Sequence, residues 1–194
     1  SVAASSNDWL SIEHIERAKP AFANAKYCLI QLEIPQPAVR AALSLSKSQG
    51  VFNILDPAPC RRLSKSLLQL VDIITPNEFE LAELTGMPVK TKRNIECAGE
   101  KLFQTGVGEV IVTCGERGVC HVSSDGANWF SAPKVNAIDT VGAGDCFNGS
   151  LASALSSDLG MAEAIRFAVS TSAHAVTIRG VQSSFPELKP SNCY

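Results

Sequence analysis

The stretch Asp139-Thr140-Val141-Gly142-Ala143-Gly144-Asp145 decides the fold prediction, because its two glycines stand directly before a helical pattern. Apolar residues follow at i, i+4, i+7 and i+8, which is one face of an α-helix: Phe147, Leu151, Ala154 and Leu155. A helix that begins at glycines presents backbone N–H groups and the positive end of its dipole to a ligand. The stretch therefore predicts an anion site, and phosphate suits it.

A carboxylate stands in the same turn as this predicted anion site. Asp145 can accept a proton there, while the N–H groups of Gly142, Ala143 and Gly144 stabilise an anion. Together they predict transfer of a phosphoryl group to a hydroxyl. The alternative is a tight strand-to-helix connection in which Asp145 only complements the helix dipole. The stretch is neither a dinucleotide fingerprint nor a P-loop.

Strand-length apolar runs alternate with helical patterns along the rest of the chain. The runs are 27–32, 51–55, 71–75 and 110–113, and the helical patterns are 11–24, 37–48, 61–70, 78–85 and 94–105. A hairpin is expected after them, with residues 118–122 and 129–131 around Asp125-Gly126. The alternation predicts an α/β fold with a mostly parallel sheet flanked by helices, in a single domain over residues 1–194.

Composition restricts the partners that we expect. The net charge of −2 gives no electrostatic attraction to nucleic acid, and no apolar run has the roughly 18 residues of a membrane span. Seven cysteines are scattered without metal-ligand spacing, which predicts buried free thiols in a reducing compartment such as the cytoplasm.

The string Asp-Thr-x-Gly-Ala-Gly-Asp resembles the C-terminal signature of the ribokinase-like (PfkB-type) carbohydrate kinases. Asp56-Pro57-Ala58-Pro59 is similar to the Asn-Pro-Ala-Pro of the ribokinase subgroup, with Asp in place of Asn, and Arg179–Ser184 is similar to a later segment of that subgroup. The resemblance implies the C-terminal portion of a ribokinase-like fold. The first strands and the β lid, which covers the sugar and often dimerises, are expected to be absent. A homodimer is expected only for the complete enzyme.

The resemblance also implies roles for residues at the ends of the predicted strands. Nucleotide contacts are implied for Thr113, Gly115, Gly118 and Gly144, and a sugar contact for Glu33. Asn77 and Glu80 match an Asn-x-x-Glu motif that helps to hold Mg²⁺ and the phosphates of ATP, largely through water. Without the resemblance, Asn77 and Glu80 equally predict a capping box at a helix N-terminus.

An activating monovalent cation, K⁺, is the last group that the resemblance implies. The candidate ligands, by position, are Asp139, Val141, Ala175, Ile178, Gly180 and Ser184. The alternative is a polar C-terminal loop without a ligand.

The expected activity is transfer of the ATP γ-phosphoryl group to the primary hydroxyl of a pentose, D-ribose giving ribose 5-phosphate, with Asp145 as the base. The alternatives are a nucleoside (adenosine-type) or fructose-type kinase of the same superfamily, or a truncated non-catalytic module that only binds nucleotide. Because the lid is expected to be absent, this chain alone is expected to bind nucleotide weakly and to phosphorylate sugar poorly.

Overall fold

Six strands form one sheet in the computed structural model, which describes residues 6–186. Their order in the sheet is their order in the chain: β1 (Tyr27–Ile30), β2 (Phe52–Leu55), β3 (Ile73–Ile74), β4 (Glu109–Thr113), β5 (Val119–Ser123) and β6 (Gly126–Phe130). Strands β1 to β4 are parallel. A two-residue turn joins β5 to β6, as in an antiparallel hairpin. The predicted α/β class with a mostly parallel sheet is confirmed.

Eight α-helices occur within residues 6–186; six of them precede or separate the parallel strands, and two follow the hairpin. They are α1 (Ile12–Arg17), α2 (Lys19–Phe22), α3 (Gln36–Ser48), α4 (Lys65–Leu68), α5 (Glu78–Thr85), α6 (Lys92–Phe103), α7 (Ala143–Ser156) and α8 (Met161–Ala175). Within the described range, no helix combines the length and the hydropathy that a membrane span requires.

Two predicted helices differ from the observed ones for local reasons. The pattern over 11–24 is broken between α1 and α2 because Pro20 has no N–H to donate and its ring crowds the carbonyl four residues earlier. The prediction of a helix over 61–70 is also wrong in extent. Ser64 adopts an extended backbone and its Oγ accepts the Leu67 N–H at 3.3 Å, so α4 begins only at Lys65.

The chain divides into two compact units, and the first comprises residues 6–112 and 122–127. Its core is built from the fully buried residues Val110, Ile111 and Val112 of β4 together with the apolar faces of two helices. These faces are Ala38, Val39, Ala42 and Leu43 on α3, and Ile95, Ala98 and Leu102 on α6.

The second unit comprises residues 113–121 and 128–186 and is organised by the packing of α7 against α8. The predicted apolar face of α7 is buried in full: Phe147, Leu151, Ala154 and Leu155. On α8, Ile165 and Ala168 are fully buried. The structure thus confirms that the signature glycines stand at the start of a helix. That the whole chain is one domain stays a prediction.

The buried side chain of Asn53 connects three elements of the first unit. Its Nδ2 donates to the carbonyl of Leu43 in α3 at 2.9 Å and to that of Leu70 before β3 at 2.8 Å. Its backbone N–H donates to the carboxylate of Asp72 at 2.8 Å. A buried amide side chain in β2 therefore joins the strand to the helix before it and to the segment that leads into β3.

We expect Asn53→Ala to lower the free energy of unfolding by about 2–4 kcal/mol, because the carbonyl groups of Leu43 and Leu70 each lose a hydrogen bond from the buried amide. Urea denaturation of the full-length protein measures the loss. Asn24 is exposed, so Asn24→Ala should change stability by about 0.5 kcal/mol at most. Equal effects of the two substitutions would contradict the role given to Asn53.

Candidate active site

The backbone at Gly142 starts helix α7 in a conformation that favours glycine. Gly142 is the N-cap residue, with φ of +79°. A Cβ built on it would lie 2.5 Å from Cγ1 of Val181, so the turn is packed closely against the C-terminal loop. The sequence requires glycine here for the fold of the turn itself, before any ligand is considered.

Two of the three N–H groups expected at this turn have no acceptor within residues 6–186, namely those of Gly142 and Gly144. The third, of Ala143, donates to the Thr140 carbonyl at 3.3 Å. The first bond of the helix runs from the Cys146 N–H to the Gly142 carbonyl, at 2.9 Å. The turn can therefore offer an anion two backbone donors and the positive end of a 14-residue helix.

Asp145 and Gly144 are both exposed in the first turn of α7. A Cβ added at Gly144 would meet no atom within 4 Å. The protein itself therefore does not require glycine at position 144, whereas close approach of a ligand to the backbone would. An exposed carboxylate next to unpaired donors can accept a proton from a group that is held at the turn.

The Asp139 carboxylate accepts hydrogen bonds from two backbone segments. Its Oδ1 accepts the Val141 N–H and its Oδ2 accepts the Gly180 N–H, each at 3.1 Å. The hydrogen bonds from Val141 and Gly180, with a smaller effect of the Arg179 charge, lower the pKa of Asp139 below its ordinary value. This carboxylate therefore stays ionised while it holds the two segments together.

The six residues predicted for the cation lie on two segments that are bonded to each other. The Val176 carbonyl accepts the N–H groups of Ile138 and Asp139, at 2.7 and 3.1 Å. The Ser184 hydroxyl donates to the Val181 carbonyl at 2.7 Å, and the Ala175 carbonyl accepts the Ile178 N–H at 3.1 Å. A carbonyl or carboxylate oxygen that accepts one hydrogen bond keeps a further lone pair, so these two segments still have oxygen atoms that could bind a monovalent cation.

Asn77 and Glu80 form a capping box at the start of α5 in the first unit. Asn77 Oδ1 accepts the Glu80 N–H at 3.0 Å, and Glu80 Oε2 accepts the Asn77 N–H at 2.8 Å. Glu80 is 7% exposed; its burial, and then the nearby charge of Asp56, raise its pKa. The capping alternative is thus confirmed. A cation next to Glu80 would favour its ionised form, so the pair also fits a metal ion held mainly through water.

Asp56 and Gln31 form a contact that the sequence patterns did not predict. Gln31 Nε2 donates to Asp56 Oδ2 at 3.3 Å, and the Ala58 N–H donates to Asp56 Oδ1 at 3.2 Å. Gln31 directly follows β1 and Asp56 directly follows β2, and the carboxyl ends of these parallel strands meet at one edge of the sheet. This shared position is the feature of the sequence from which the contact could have been predicted. Glu33 is exposed in the loop after β1.

The segment from Thr113 to Gly118 contains two glycines with different surroundings. Thr113 ends β4, and Gly115 is exposed, with open space around a built Cβ. Gly118 is buried, and a Cβ there would overlap the carbonyl oxygen of Phe130. Packing thus accounts for Gly118, while nucleotide contacts at Thr113, Gly115 and Gly118 stay predictions.

The family model described as "pfkB family carbohydrate kinase" matches residues 2–188. A ribokinase from Staphylococcus aureus (strain COL) is 36% identical over 187 residues, which cover 96% of this chain and 62% of that relative. A deoxyribokinase from Salmonella typhi is 38% identical over 189 residues, with 97% and 62% coverage. The chain thus spans less than two thirds of the length of these relatives.

A solved structure with the same fold is that of Arabidopsis thaliana ribokinase complexed with ribose and ATP. It superposes with a TM-score of 0.84 and is 31% identical, covering 91% of this chain and 57% of that chain.

We expect Gly142→Ala to destabilise the protein more than Gly50→Ala. Both glycines have positive φ, which costs an L-residue about 1–2 kcal/mol, but a Cβ at Gly50 meets nothing within 4 Å. The Val181 contact should add about 1–3 kcal/mol to the cost at Gly142. Denaturant unfolding of both variants of the full-length protein measures this difference. Equal losses would show that the turn is not closely packed.

Proposed function

The chain belongs to the pfkB family of carbohydrate kinases, and we propose that it is the nucleotide-binding and catalytic part of an ATP-dependent sugar kinase. The proposed reaction transfers the γ-phosphoryl group of ATP to the primary hydroxyl of a pentose, D-ribose giving ribose 5-phosphate. One observation carries the proposal: the unpaired N–H groups of Gly142 and Gly144 and the exposed carboxylate of Asp145 occur in a single helical turn.

The proposed acceptor is supported by the named relatives. The Staphylococcus aureus protein is a ribokinase, and the Arabidopsis thaliana ribokinase was solved with ribose and ATP. A second candidate acceptor is 2-deoxyribose, since the Salmonella typhi relative of comparable identity is a deoxyribokinase. The two sugars differ by one hydroxyl group, so the ratio of their kcat/KM values for the full-length protein distinguishes the candidates.

In the proposed mechanism, the sugar hydroxyl oxygen attacks the γ-phosphorus while the bond to the β–γ bridging oxygen breaks, which releases ADP. The hydroxyl proton passes to the carboxylate of Asp145. The N–H groups of Gly142 and Gly144 and the dipole of α7 stabilise the charge on the γ-phosphoryl oxygens. Phosphoryl transfer needs positioning and charge stabilisation more than covalent chemistry from the protein, and these groups supply both.

Two cations complete the proposal. Glu80 and Asn77 would hold Mg²⁺ through water, and the ion supplies charge neutralisation at the phosphates. Oxygen atoms of the segments 139–141 and 175–184 would hold K⁺. The homodimer expected for the complete enzyme remains part of the proposal.

We expect Asp145→Asn to lower kcat for ribose phosphorylation by about 10²–10⁴-fold, because the amide cannot accept the hydroxyl proton. The KM for ATP should change little. A coupled assay of ADP release by the full-length protein measures both constants. Asp125→Asn, at an exposed turn residue, is the control and should leave kcat unchanged. Activity of Asp145→Asn within a few-fold of the parent would exclude Asp145 as the base.

We expect Gly144→Ala to weaken catalysis without weakening the fold. A methyl group would project where the phosphate approaches, so kcat/KM for ATP should fall about tenfold or more, or about 1.4 kcal/mol. Gly149→Ala is a matched control, since Gly149 is also exposed in α7 with open space around its Cβ. Both variants should keep or raise stability, because alanine favours a helix. Equal kinetics of the two would contradict phosphate binding at Gly144.

A further inference from the structure

Two adjacent arginines precede an exposed serine in the segment between β2 and α4. The sequence Arg61-Arg62-Leu63-Ser64 places guanidinium groups three and two residues before the Ser64 hydroxyl. Arginine-directed serine/threonine protein kinases select this charge pattern, because carboxylates of their substrate cleft pair with the guanidinium groups. No other serine or threonine of the chain has arginines at both of these positions. The pattern therefore distinguishes a single hydroxyl group.

The backbone of this segment is accessible to another enzyme. The connection from β2 to α4 contains no helix or strand, and both arginines and Ser64 are exposed. Within residues 6–186, none of the N–H groups of residues 60–64 donates to a backbone carbonyl. The Arg62 carbonyl accepts one side-chain hydrogen bond, from Gln36 Nε2 at 3.0 Å. Since a protein kinase binds its substrate as an extended segment, a surface segment with so few hydrogen bonds can enter the cleft without unfolding the core.

The Ser64 hydroxyl lies beside a third arginine, which belongs to α3. Arg40 Nη2 donates to Ser64 Oγ at 3.0 Å and to Ser66 Oγ at 2.9 Å. Ser64 Oγ also accepts the Leu67 N–H at 3.3 Å as the N-cap of α4. These contacts are at the surface, where water can replace them. A phosphate group on Ser64 would place a charge of about −1.5 to −2 and three acceptor oxygens next to a guanidinium group that already contacts this side chain.

We propose that Ser64 is a phosphorylation site for an arginine-directed serine/threonine protein kinase, and that Arg40 binds the resulting phosphoserine. In this reaction Ser64 Oγ attacks the γ-phosphorus of ATP while the bond to the β–γ bridging oxygen breaks, which releases ADP. The hydroxyl proton passes to the catalytic carboxylate of the protein kinase. The phosphate then joins the start of α4 to α3 through a charged pair in place of a neutral hydrogen bond. The site is independent of the proposed sugar kinase activity.

Incubation of the full-length protein with ATP and a purified arginine-directed protein kinase tests the phosphorylation site. Mass spectrometry of peptides should locate one phosphoryl group on Ser64, and only when the protein kinase is present. Ser64→Asn should abolish this phosphorylation and keep the N-cap, because an amide oxygen also caps a helix. In the double variant Arg61→Gln/Arg62→Gln, kcat/KM of the protein kinase should fall about tenfold or more.

Ser66→Ala is the matched control for this experiment. Ser66 is exposed and contacts Arg40 as Ser64 does, but the two adjacent arginines are five and four residues before it. Phosphorylation of Ser64 should therefore continue in Ser66→Ala. The proposal would be overturned by a native parent that is not phosphorylated, by phosphate on another residue in place of Ser64, or by phosphorylation of the heat-denatured chain alone. Phosphorylation without the protein kinase would also overturn it.

Phosphorus NMR of the phosphorylated protein tests the role of Arg40. A guanidinium group beside the phosphate favours its doubly ionised form, which lowers the second pKa of phosphoserine from its ordinary value of about 6. In phosphorylated Arg40→Gln this pKa should be about half a unit or more above that of the phosphorylated parent. Arg93→Gln, which removes an exposed charge from α6, should leave it unchanged. Equal values in the parent and in Arg40→Gln would exclude Arg40 as the residue that binds the phosphate.

Discussion

The left-handed backbone of Gly142, packed against Val181, is the constraint on which the candidate site depends. Because no side chain fits between the turn and the C-terminal loop, helix α7 must begin at this residue and in this direction. The N–H groups of Gly142 and Gly144 then have no acceptor within residues 6–186 and can bind a ligand. At Gly144 a built Cβ would meet no atom of the protein, so the fold does not require glycine there. Under the proposed function, the two glycines of the signature therefore serve the fold and the ligand separately.

Three carboxylates of the signature motifs lie in different environments, and the proposed function gives each a different role. Asp139 accepts two backbone N–H groups and belongs to the framework of the turn. Glu80 is buried in a capping box with a raised pKa, which suits a group that a cation is to stabilise. Asp145 is exposed in the first turn of α7, which suits the base of the proposed mechanism. Residue type alone does not distinguish these roles.

Patterns within one element predicted much of the structure. Contacts between residues far apart in the sequence could not be predicted in this way. The helix over 78–85 and the start of α7 depend on neighbouring residues, and both were predicted from the sequence. Pro20 and Ser64 set helix boundaries through hydrogen bonding of the backbone, which apolar periodicity does not predict. The bonds of Asp139 to Gly180 and of Gln31 to Asp56 join residues 41 and 25 positions apart, and no local pattern encodes them. Family resemblance named candidate ligands without showing which of their atoms the protein already uses.

In the proposed function, the N-terminal turn of α7 binds the phosphates of a nucleotide through the N–H groups of Gly142 and Gly144. The most direct test of this binding is a ¹⁵N–¹H spectrum of the full-length protein labelled at glycine, recorded with and without Mg²⁺ and a non-hydrolysable ATP analogue. Phosphate binding at this turn should shift the Gly142 and Gly144 amide signals strongly and leave the signal of Gly149, in the same helix, nearly unchanged. Saturating binding of the analogue that leaves the Gly142 and Gly144 signals in place would contradict it.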